Sequence, residues 1–236
     1  MKIHGLQKLT LLDYPGKMAA TLFLGGCNFR CPFCHNSGLV LSPKQQEVLP
    51  VSEVLAFLEK RRGILEGVCI TGGEPTLSGD LKRLITDIRG LGYLVKLDTN
   101  GSRPEVLKEL VSEGLLDYAA MDIKSSLSGY EKAAGLSQGQ APGIRERVAE
   151  SAAFLMENHI PYEFRTTVVK ELHCTGDFRE IARWLAGCSA YYLQAYRDSE
   201  SVLLPNTFHS YTLEELEDFR AILRETIPLV EIRGID

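Results

Sequence analysis

Three cysteines stand close together near the start of the chain, at Cys27, Cys31 and Cys34. Their spacing is C-x3-C-x2-C, and they directly follow an apolar run at residues 18–24. Thiolates bind soft metals and iron–sulfur clusters, and a [4Fe–4S] cluster ordinarily takes four of them. Because this run supplies three, a cluster bound here would leave one iron open to a substrate.

Two other interpretations of the cysteines stay open, a zinc site and unliganded thiols. Zinc needs a fourth Cys or His at short spacing, and His35 is too close to Cys34 to share a tetrahedral site with it. Disulfides are disfavoured because nothing in the sequence indicates export, and cytosolic thiols stay reduced. The other cysteines, Cys69, Cys174 and Cys188, lack ligand spacing, so we expect no second cluster.

The phrase GGCNFRCPFCHN at residues 25–36 resembles the cysteine loop of radical S-adenosylmethionine (SAM) enzymes. More narrowly, it resembles the enzymes that activate glycyl-radical proteins. Together with LLDYPGK at residues 11–17, it is most similar to the anaerobic ribonucleoside-triphosphate reductase activating proteins. The pyruvate formate-lyase activating enzymes differ there, with a phrase closer to D-G-P-G. The resemblance covers nearly the whole chain and is more specific for the chemistry than for the partner.

The resemblance implies a reaction as well as a fold. In that family the three cysteines hold a [4Fe–4S] cluster, SAM binds its fourth iron, and reductive cleavage of SAM gives a 5′-deoxyadenosyl radical. The radical takes a hydrogen atom from a glycine of a partner enzyme, here an anaerobic ribonucleoside-triphosphate reductase. A flavodoxin or a ferredoxin-type protein supplies the electron. The protein therefore needs no catalytic side chain of its own, because the cofactor carries the radical chemistry.

Three alternatives to this function remain open at the level of sequence. The first is activation of another glycyl-radical enzyme, such as pyruvate formate-lyase. The second is a radical SAM enzyme that acts on a small molecule, such as a pterin in deazapurine synthesis. The third is a non-enzymatic zinc or iron–sulfur binding module.

Composition limits the remaining possibilities. The chain has 236 residues, 44% of them hydrophobic, which suffices for one large domain. A net charge of −5 without a basic block gives no support to a nucleic-acid partner. The chain lacks both the apolar stretch of roughly 18 residues that spans a membrane and the apolar core of a signal peptide. We therefore expect a cytoplasmic protein that contacts neither membranes nor nucleic acids.

Short apolar runs alternate with amphipathic segments, a pattern typical of a parallel α/β sheet or barrel. Predicted strands cover residues 18–24, 68–71, 93–98, 118–123, 162–169 and 190–195, with a short closing strand at 229–232. Predicted helices cover residues 51–62, 81–91, 144–158 and 178–185. Two more begin at predicted capping boxes that start with Ser102 and Thr212. Residues 125–143 are predicted to form a long loop.

Six βα units are too few for a closed TIM barrel, which has eight. The sequence therefore predicts an α/β fold, a partial (β/α)6 TIM-type barrel in a single domain over residues 1–236. Residues 1–17 form a lead-in and residues 18–236 form the partial barrel.

Residues able to bind ligands recur where the predicted strands end. Because the carboxyl ends of parallel strands meet at one edge of the sheet, these residues predict a single site with the cysteines. By resemblance to the family, the SAM contacts are Phe33, Gly72, Gly73, Glu74, Pro75, Thr99, Asn100, Lys124, Arg165 and Gln194. The resemblance also implies a monovalent cation at Asp98, Thr99 and Asp122.

Each of these residues also has an interpretation without a ligand. GGEP is then an ordinary strand–helix turn, the charges at Asp98, Asp122 and Lys124 are solvated loop charges, and Arg165 forms an outward-facing ion pair. The GGEP turn at residues 72–75 and the cysteines follow different predicted strands. We therefore expect substitutions of Gly73 or Glu74 to weaken SAM binding without loss of the cluster.

Overall fold

The structure is a computed structural model that describes residues 2–137 and 141–235, and its strands form one sheet in sequence order. The strands are β1 (Ile3–Thr10), β2 (Ala19–Leu24), β3 (Gly67–Gly72), β4 (Leu94–Thr99), β5 (Tyr118–Asp122), β6 (Tyr162–Val168), β7 (Tyr191–Ala195) and β8 (Val230–Arg233). Strands β2 to β8 pair in parallel, and β1 pairs antiparallel with β2. In the described part of the chain β1 and β8 do not pair, so the barrel stays open.

Helices connect the parallel strands and cover the outer face of the sheet. They are α1 (Ser37–Leu41), α2 (Val51–Glu59), α3 (Leu81–Gly90), α4 (Pro104–Ser112), α5 (Tyr130–Ala134), α6 (Ala141–Met156), α7 (Thr175–Trp184) and α8 (Leu213–Arg224), with 3-10 turns at Pro43–Gln45 and Pro75–Leu77. In α3, Leu81, Leu84, Ile85 and Ile88 recur at helical spacing and are fully buried. No helix in residues 2–137 and 141–235 has the length and apolar character that crossing a membrane requires.

The partial α/β barrel predicted from the sequence is confirmed, with an additional strand at the β1 end of the sheet. The closing strand predicted at residues 229–232 is present as β8. The prediction missed β1 because this edge strand is largely polar and buries only Ile3 and Thr10. Residues 1–17 therefore contribute a strand rather than a structureless lead-in.

The prediction of one long loop at residues 125–143 is wrong in two places. The short helix α5 lies inside it and α6 begins at Ala141, whereas residues 138–140 lie outside the described part of the chain. Helix α5 forms because Tyr130, Ala133 and Ala134 are buried, with Tyr130 packed edge-on against Phe29. The helix therefore packs directly against the cysteine loop, residues 25–36.

Candidate active site

A cavity of about 250 Å³ opens at the carboxyl ends of the parallel strands. The cysteine loop forms one wall, and the ends of β3 to β7 form the others. Of the predicted site residues, the structure brings together Cys27, Cys31, Phe33, Cys34, Gly72, Gly73, Asp98, Thr99, Asn100, Asp122, Lys124, Arg165 and Gln194 around this cavity. Their contacts with SAM and the cluster stay predictions. Glu74 and Pro75 do not line the cavity.

Backbone hydrogen bonds from several parts of the chain fix the cysteine loop. Their donors and acceptors are Gly26 N–H to Leu39 O (2.8 Å), Arg30 N–H to Ala134 O (2.9 Å), Leu203 N–H to Cys34 O (2.9 Å) and Leu204 N–H to Pro32 O (2.9 Å). At the end of α5, Gly135 has φ +61°, and a Cβ there would lie 2.0 Å from the carbonyl oxygen of Arg30. Only glycine therefore allows α5 to approach the loop this closely.

The thiols of the loop have the chemistry that a [4Fe–4S] cluster needs. Burial raises the pKa of the Cys27 thiol to about 11 and that of Cys31 to about 12, although the nearby Lys124 ammonium favours both thiolates. The Cys27 sulfur also accepts hydrogen bonds from the Phe29 N–H (3.3 Å) and the Asn100 side-chain amide (3.8 Å). Three thiols on one cavity wall, with donors and a cation beside them, fit the cluster.

Among residues 2–137 and 141–235, no three His, Cys, Asp or Glu side chains form a group that could hold one metal ion.

The turn after β3 packs against the cysteine loop more tightly than its sequence indicates. A Cβ on Gly73 would lie 2.0 Å from the carbonyl oxygen of Gly26, and that oxygen accepts the Glu74 N–H at 2.7 Å. On the other side, the Asn36 side-chain amide donates to the Gly72 carbonyl at 2.9 Å. The two segments form one unit, which does not support the expectation that cluster and SAM binding separate at Gly73.

The side chain of Glu74 holds strand ends together behind the cavity wall. It is 2% exposed. One carboxylate oxygen accepts hydrogen bonds from the Thr76 N–H and from the hydroxyls of Thr76 (2.5 Å) and Thr99 (2.7 Å). The other oxygen accepts the Asn100 N–H at 2.6 Å. The Glu74 side chain thereby joins the ends of β3 and β4, and its predicted contact with SAM stays a prediction.

Charged side chains form a network on the inner face of the sheet. Arg165 bridges two carboxylates, with its Nε 2.9 Å from Asp122 Oδ1 and its Nη1 3.3 Å from Asp98 Oδ2. Lys124 lies 3.0 Å from Asp122, and the buried Lys96 ammonium contacts Asp98. Burial alone disfavours every one of these charges, yet the opposite charges lower the pKa of Asp98 and Asp122 and raise the pKa of Lys124 and Arg165. Asp98, Asp122, Lys124 and Arg165 therefore stay ionised at neutral pH.

The network continues beneath the cavity through residues that sequence reasoning missed. Glu163 is 1% exposed and receives two hydrogen bonds of 3.0 Å from the Arg233 guanidinium on β8. Lys96 is fully buried two residues before Asp98. A period-2 pattern places residues 96 and 98, and likewise 163 and 165, on the same face of their strands. This alternation is the sequence signal that places Lys96 on the same face as Asp98, and Glu163 on the same face as Arg165.

Positively charged side chains of the chain lie at the site predicted for the monovalent cation. Asp98 and Asp122 were predicted as its ligands, and Arg165 lies between them. The third predicted ligand, Thr99, directs its hydroxyl to Glu74. The cation site stays a prediction, and the described geometry pairs both of its carboxylates with the chain's own positive charges.

Phe33 lines the cavity, and His173 packs behind it. Phe33 is 4% exposed and packs edge-on against His173 and Phe208. His173 is buried, and its Nε2 lies 2.8 Å from the Lys124 carbonyl. Its Nδ1 lies 3.0 Å from the Val169 nitrogen and 3.2 Å from the Val169 carbonyl oxygen, and burial lowers the pKa of the ring. His173 therefore positions the Lys124 backbone at the cavity.

Comparison with known proteins identifies the family. The sequence profile of the radical SAM superfamily matches residues 21–173. A protein of Methanocaldococcus jannaschii named "Putative glycyl-radical enzyme activating enzyme" is 30% identical over 240 residues, which cover 99% of this chain and 96% of that protein. A 7-carboxy-7-deazaguanine synthase of Methanopyrus kandleri is 32% identical over 130 residues, which cover 47% of this chain and 51% of that enzyme.

The fold has solved counterparts as well. The crystal structure of a radical SAM methyltransferase from Sphaerobacter thermophilus aligns with 96% of this chain and 69% of its own, with a TM-score of 0.72 and 18% identity. At that identity the likeness concerns the fold alone.

Proposed function

The chain belongs to the radical SAM superfamily, and we propose that it installs a glycyl radical on an anaerobic ribonucleoside-triphosphate reductase. The observation that carries this proposal is the placement of three thiols and a cationic network on opposite walls of one cavity. The family implies a [4Fe–4S] cluster and SAM as cofactors. When both are bound, reductive cleavage of SAM supplies the radical that removes a hydrogen atom from the glycine of the partner.

The charge of the network supports SAM as the occupant of the cavity. Four cationic side chains, Lys96, Lys124, Arg165 and Arg233, face three carboxylates, Asp98, Asp122 and Glu163. The surplus is one positive charge, and the methionine carboxylate of SAM matches it. Lys124 and Arg165, which line the cavity, are the residues that would contact this carboxylate. Asp122 orients both cations because it contacts each of them.

Each wall contributes a separate task to the reaction. The cysteine loop binds the cluster, and Asn100 and the Phe29 N–H donate hydrogen bonds to the Cys27 sulfur. Gly72 and Gly73 leave backbone atoms without side chains at the cavity, where a ligand's ammonium group can approach them. Phe33 excludes water from its side of the cavity, which protects a reactive radical from solvent.

The open sheet supports a protein as the second substrate. Because β1 and β8 do not pair in the described structure, the mouth of the barrel is not enclosed by a full ring of strands. A peptide loop of a partner can enter such a mouth. The similarity over nearly full length to the Methanocaldococcus jannaschii protein supports the same class of partner.

Electron paramagnetic resonance tests this proposal. The reconstituted protein is mixed anaerobically with SAM, a reduced flavodoxin and the anaerobic reductase of the same organism. We expect a glycyl-radical doublet on the reductase that requires both SAM and this protein. A reductase whose radical glycine is replaced by alanine is the matched control and should give no doublet.

One result would separate the chemistry from the choice of partner. If the protein cleaves SAM and the reductase never acquires a radical, the superfamily chemistry stands and this partner is wrong. Pyruvate formate-lyase is then the next partner to test in the same assay.

A small-molecule substrate is the second candidate. It is favoured by the similarity to the 7-carboxy-7-deazaguanine synthase over 47% of the chain. Incubation with SAM, reductant and a pterin precursor of deazapurines tests it, with product analysis by mass spectrometry. A ring-contracted product that depends on the three cysteines of the loop would favour this candidate over the activase.

A further inference from the structure

The two carboxylates predicted to bind a monovalent metal ion, Asp98 and Asp122, have a cationic partner at each of their four oxygens. Arg165 Nε lies 2.9 Å from Asp122 Oδ1, and Arg165 Nη1 lies 3.3 Å from Asp98 Oδ2. The Lys124 ammonium lies 3.0 Å from Asp122 Oδ2. The Lys96 ammonium contacts the fourth oxygen, Asp98 Oδ1. Each oxygen that a metal ion would need is therefore already paired with a positive charge of the protein.

The hydroxyl of Thr99, the third predicted ligand, is also engaged. It donates a hydrogen bond to Glu74 Oε1 at 2.7 Å and accepts the Gly101 N–H at 3.1 Å. A hydroxyl has one hydrogen to donate and two lone pairs, so these two bonds use most of its capacity. The side chains of the three predicted ligands therefore do not form the open set of oxygens that a metal ion needs.

Lys96 is the most deeply buried cation beside these carboxylates. It lies in β4 two residues before Asp98, so both side chains project from the same face of the strand. The Lys96 side chain is 1% exposed, whereas that of Lys124, which lines the cavity, is 18% exposed. The Lys96 ammonium also lies 3.8 Å from the Cys69 sulfur and 6.0 Å from the centre of the Tyr118 ring. Because these neighbours enclose it, the ammonium is a built-in cation beside Asp98.

We propose that the Lys96 ammonium takes the place of a monovalent metal ion beside Asp98, so that SAM binding by this protein needs no such ion. Lys96 does not line the cavity, and it acts as a positioning residue. It compensates Asp98 from behind, and Asp98 in turn orients the Arg165 guanidinium at the cavity. A metal ion beside Asp98 would be repelled by both cations at short range.

This inference rests on the proposed binding of SAM in the cavity and does not depend on which enzyme receives the glycyl radical. It also makes a prediction for the protein without cluster or SAM, whose stability should not depend on K⁺. Absence of SAM binding in every buffer would contradict the proposed function, and the stability measurement would still decide the role of Lys96. The two failures are therefore distinguishable.

The experiment compares KCl with tetramethylammonium chloride at equal ionic strength. Both supply one positive charge, but tetramethylammonium is too large for the space that one ammonium group leaves. The proteins are the wild type, Lys96→Met and the control Lys82→Met. Lys82 is paired with Glu109 and Glu113 on the surface, so the control removes the same charge without touching Asp98. Urea unfolding of the cluster-free protein and equilibrium dialysis of SAM with the reconstituted protein are the two measurements.

We expect the wild type and Lys82→Met to have the same urea midpoint and the same SAM affinity in both salts. Lys96→Met keeps most of the side-chain length and removes the ammonium, which leaves space beside Asp98 Oδ1. K⁺ is similar in size to an ammonium group, so it should raise the urea midpoint of this variant above the value in tetramethylammonium. SAM affinity of Lys96→Met should be about tenfold weaker in tetramethylammonium, the equivalent of one hydrogen bond to a charged group, and should recover in K⁺.

Two results would overturn the proposal. One is a wild-type protein whose SAM affinity or urea midpoint is higher in K⁺ than in tetramethylammonium, since a metal ion would then bind beside the intact Lys96. The other is a Lys96→Met variant that responds to K⁺ no more than Lys82→Met does. If Lys96→Met does not fold, the wild-type comparison decides alone, because dependence on K⁺ contradicts the proposal and independence supports it.

Discussion

The ion pair between Lys96 and Asp98 can be removed by substituting either residue. The structure predicts that the two substitutions lower the free energy of unfolding by different amounts. Removing one member of a buried pair ordinarily costs about 3–5 kcal/mol, because it leaves an uncompensated charge. In Lys96→Met, Asp98 keeps the Arg165 guanidinium at 3.3 Å. The charge of Asp98 stays compensated, so we expect the free energy of unfolding to fall by an amount at the lower end of this range, about 3 kcal/mol.

The opposite substitution leaves the lysine without a carboxylate. In Asp98→Asn, the fully buried Lys96 ammonium retains the Cys69 sulfur at 3.8 Å and the Tyr118 ring at 6.0 Å as its described neighbours. Neither neighbour is an anion at neutral pH, since burial raises the pKa of both groups. We therefore expect a loss at the upper end, about 5 kcal/mol.

The double variant Lys96→Met with Asp98→Asn removes the unpaired charge. It should be more stable than Asp98→Asn alone, because replacing both members of a buried pair costs less than stranding one of them. Urea unfolding of the iron-free protein under reducing conditions measures all three free energies of unfolding. Equal losses in the single variants, or additive losses in the double variant, would refute the reasoning about compensation.

Three further predictions concern the cofactor site and its surroundings. Replacing any cysteine of the loop with alanine should abolish iron and sulfide binding in reconstitution, whereas alanine at the other three cysteines should leave both contents unchanged. Gly73→Val should lower iron content and SAM affinity together, because its side chain would meet the Gly26 carbonyl; full iron content with weak SAM binding would contradict this coupling. Burial lowers the pKa of His173, so the free energy of unfolding should fall as the pH drops below about 6.5, and His173→Gln should reduce this slope in pH-dependent urea unfolding.

The sequence predicted where the site residues lie better than it predicted what their side chains contact. Strand ends are readable from apolar runs, and parallel strands bring their carboxyl ends together, so Asp98, Asp122 and Arg165 were predicted to converge. The Glu74 side chain illustrates the limit. Its position after β3 was predicted correctly, but its direction is set by hydrogen bonds from Thr76, Thr99 and Asn100, which the sequence around Glu74 does not reveal.

The two predicted capping boxes show where local sequence decides the hydrogen bonds at a helix start and where tertiary contacts decide them. Thr212 and Glu215 form theirs as predicted at an exposed helix start, and Glu215 also accepts a hydrogen bond from Lys170. Ser102 does not cap its helix, which begins at Pro104 without a side-chain cap. Ser102 is buried, and its hydroxyl accepts a hydrogen bond from the Asn28 side chain instead. A local sequence rule therefore fails where a residue lies next to the cysteine loop.

The contacts of Asn100 with the cysteine loop link the predicted cluster and SAM sites in this fold. Asn100 follows β4, yet its side-chain amide donates to the Cys27 sulfur and to the side-chain Oδ1 of Asn28 (3.0 Å). Its backbone N–H is held by Glu74, which in turn follows β3. Movement of the turn after β3 therefore displaces a hydrogen-bond donor of the cluster ligand. Residues that the sequence assigns to separate strand ends act on the same sulfur, and their substitutions should be non-additive in cluster stability.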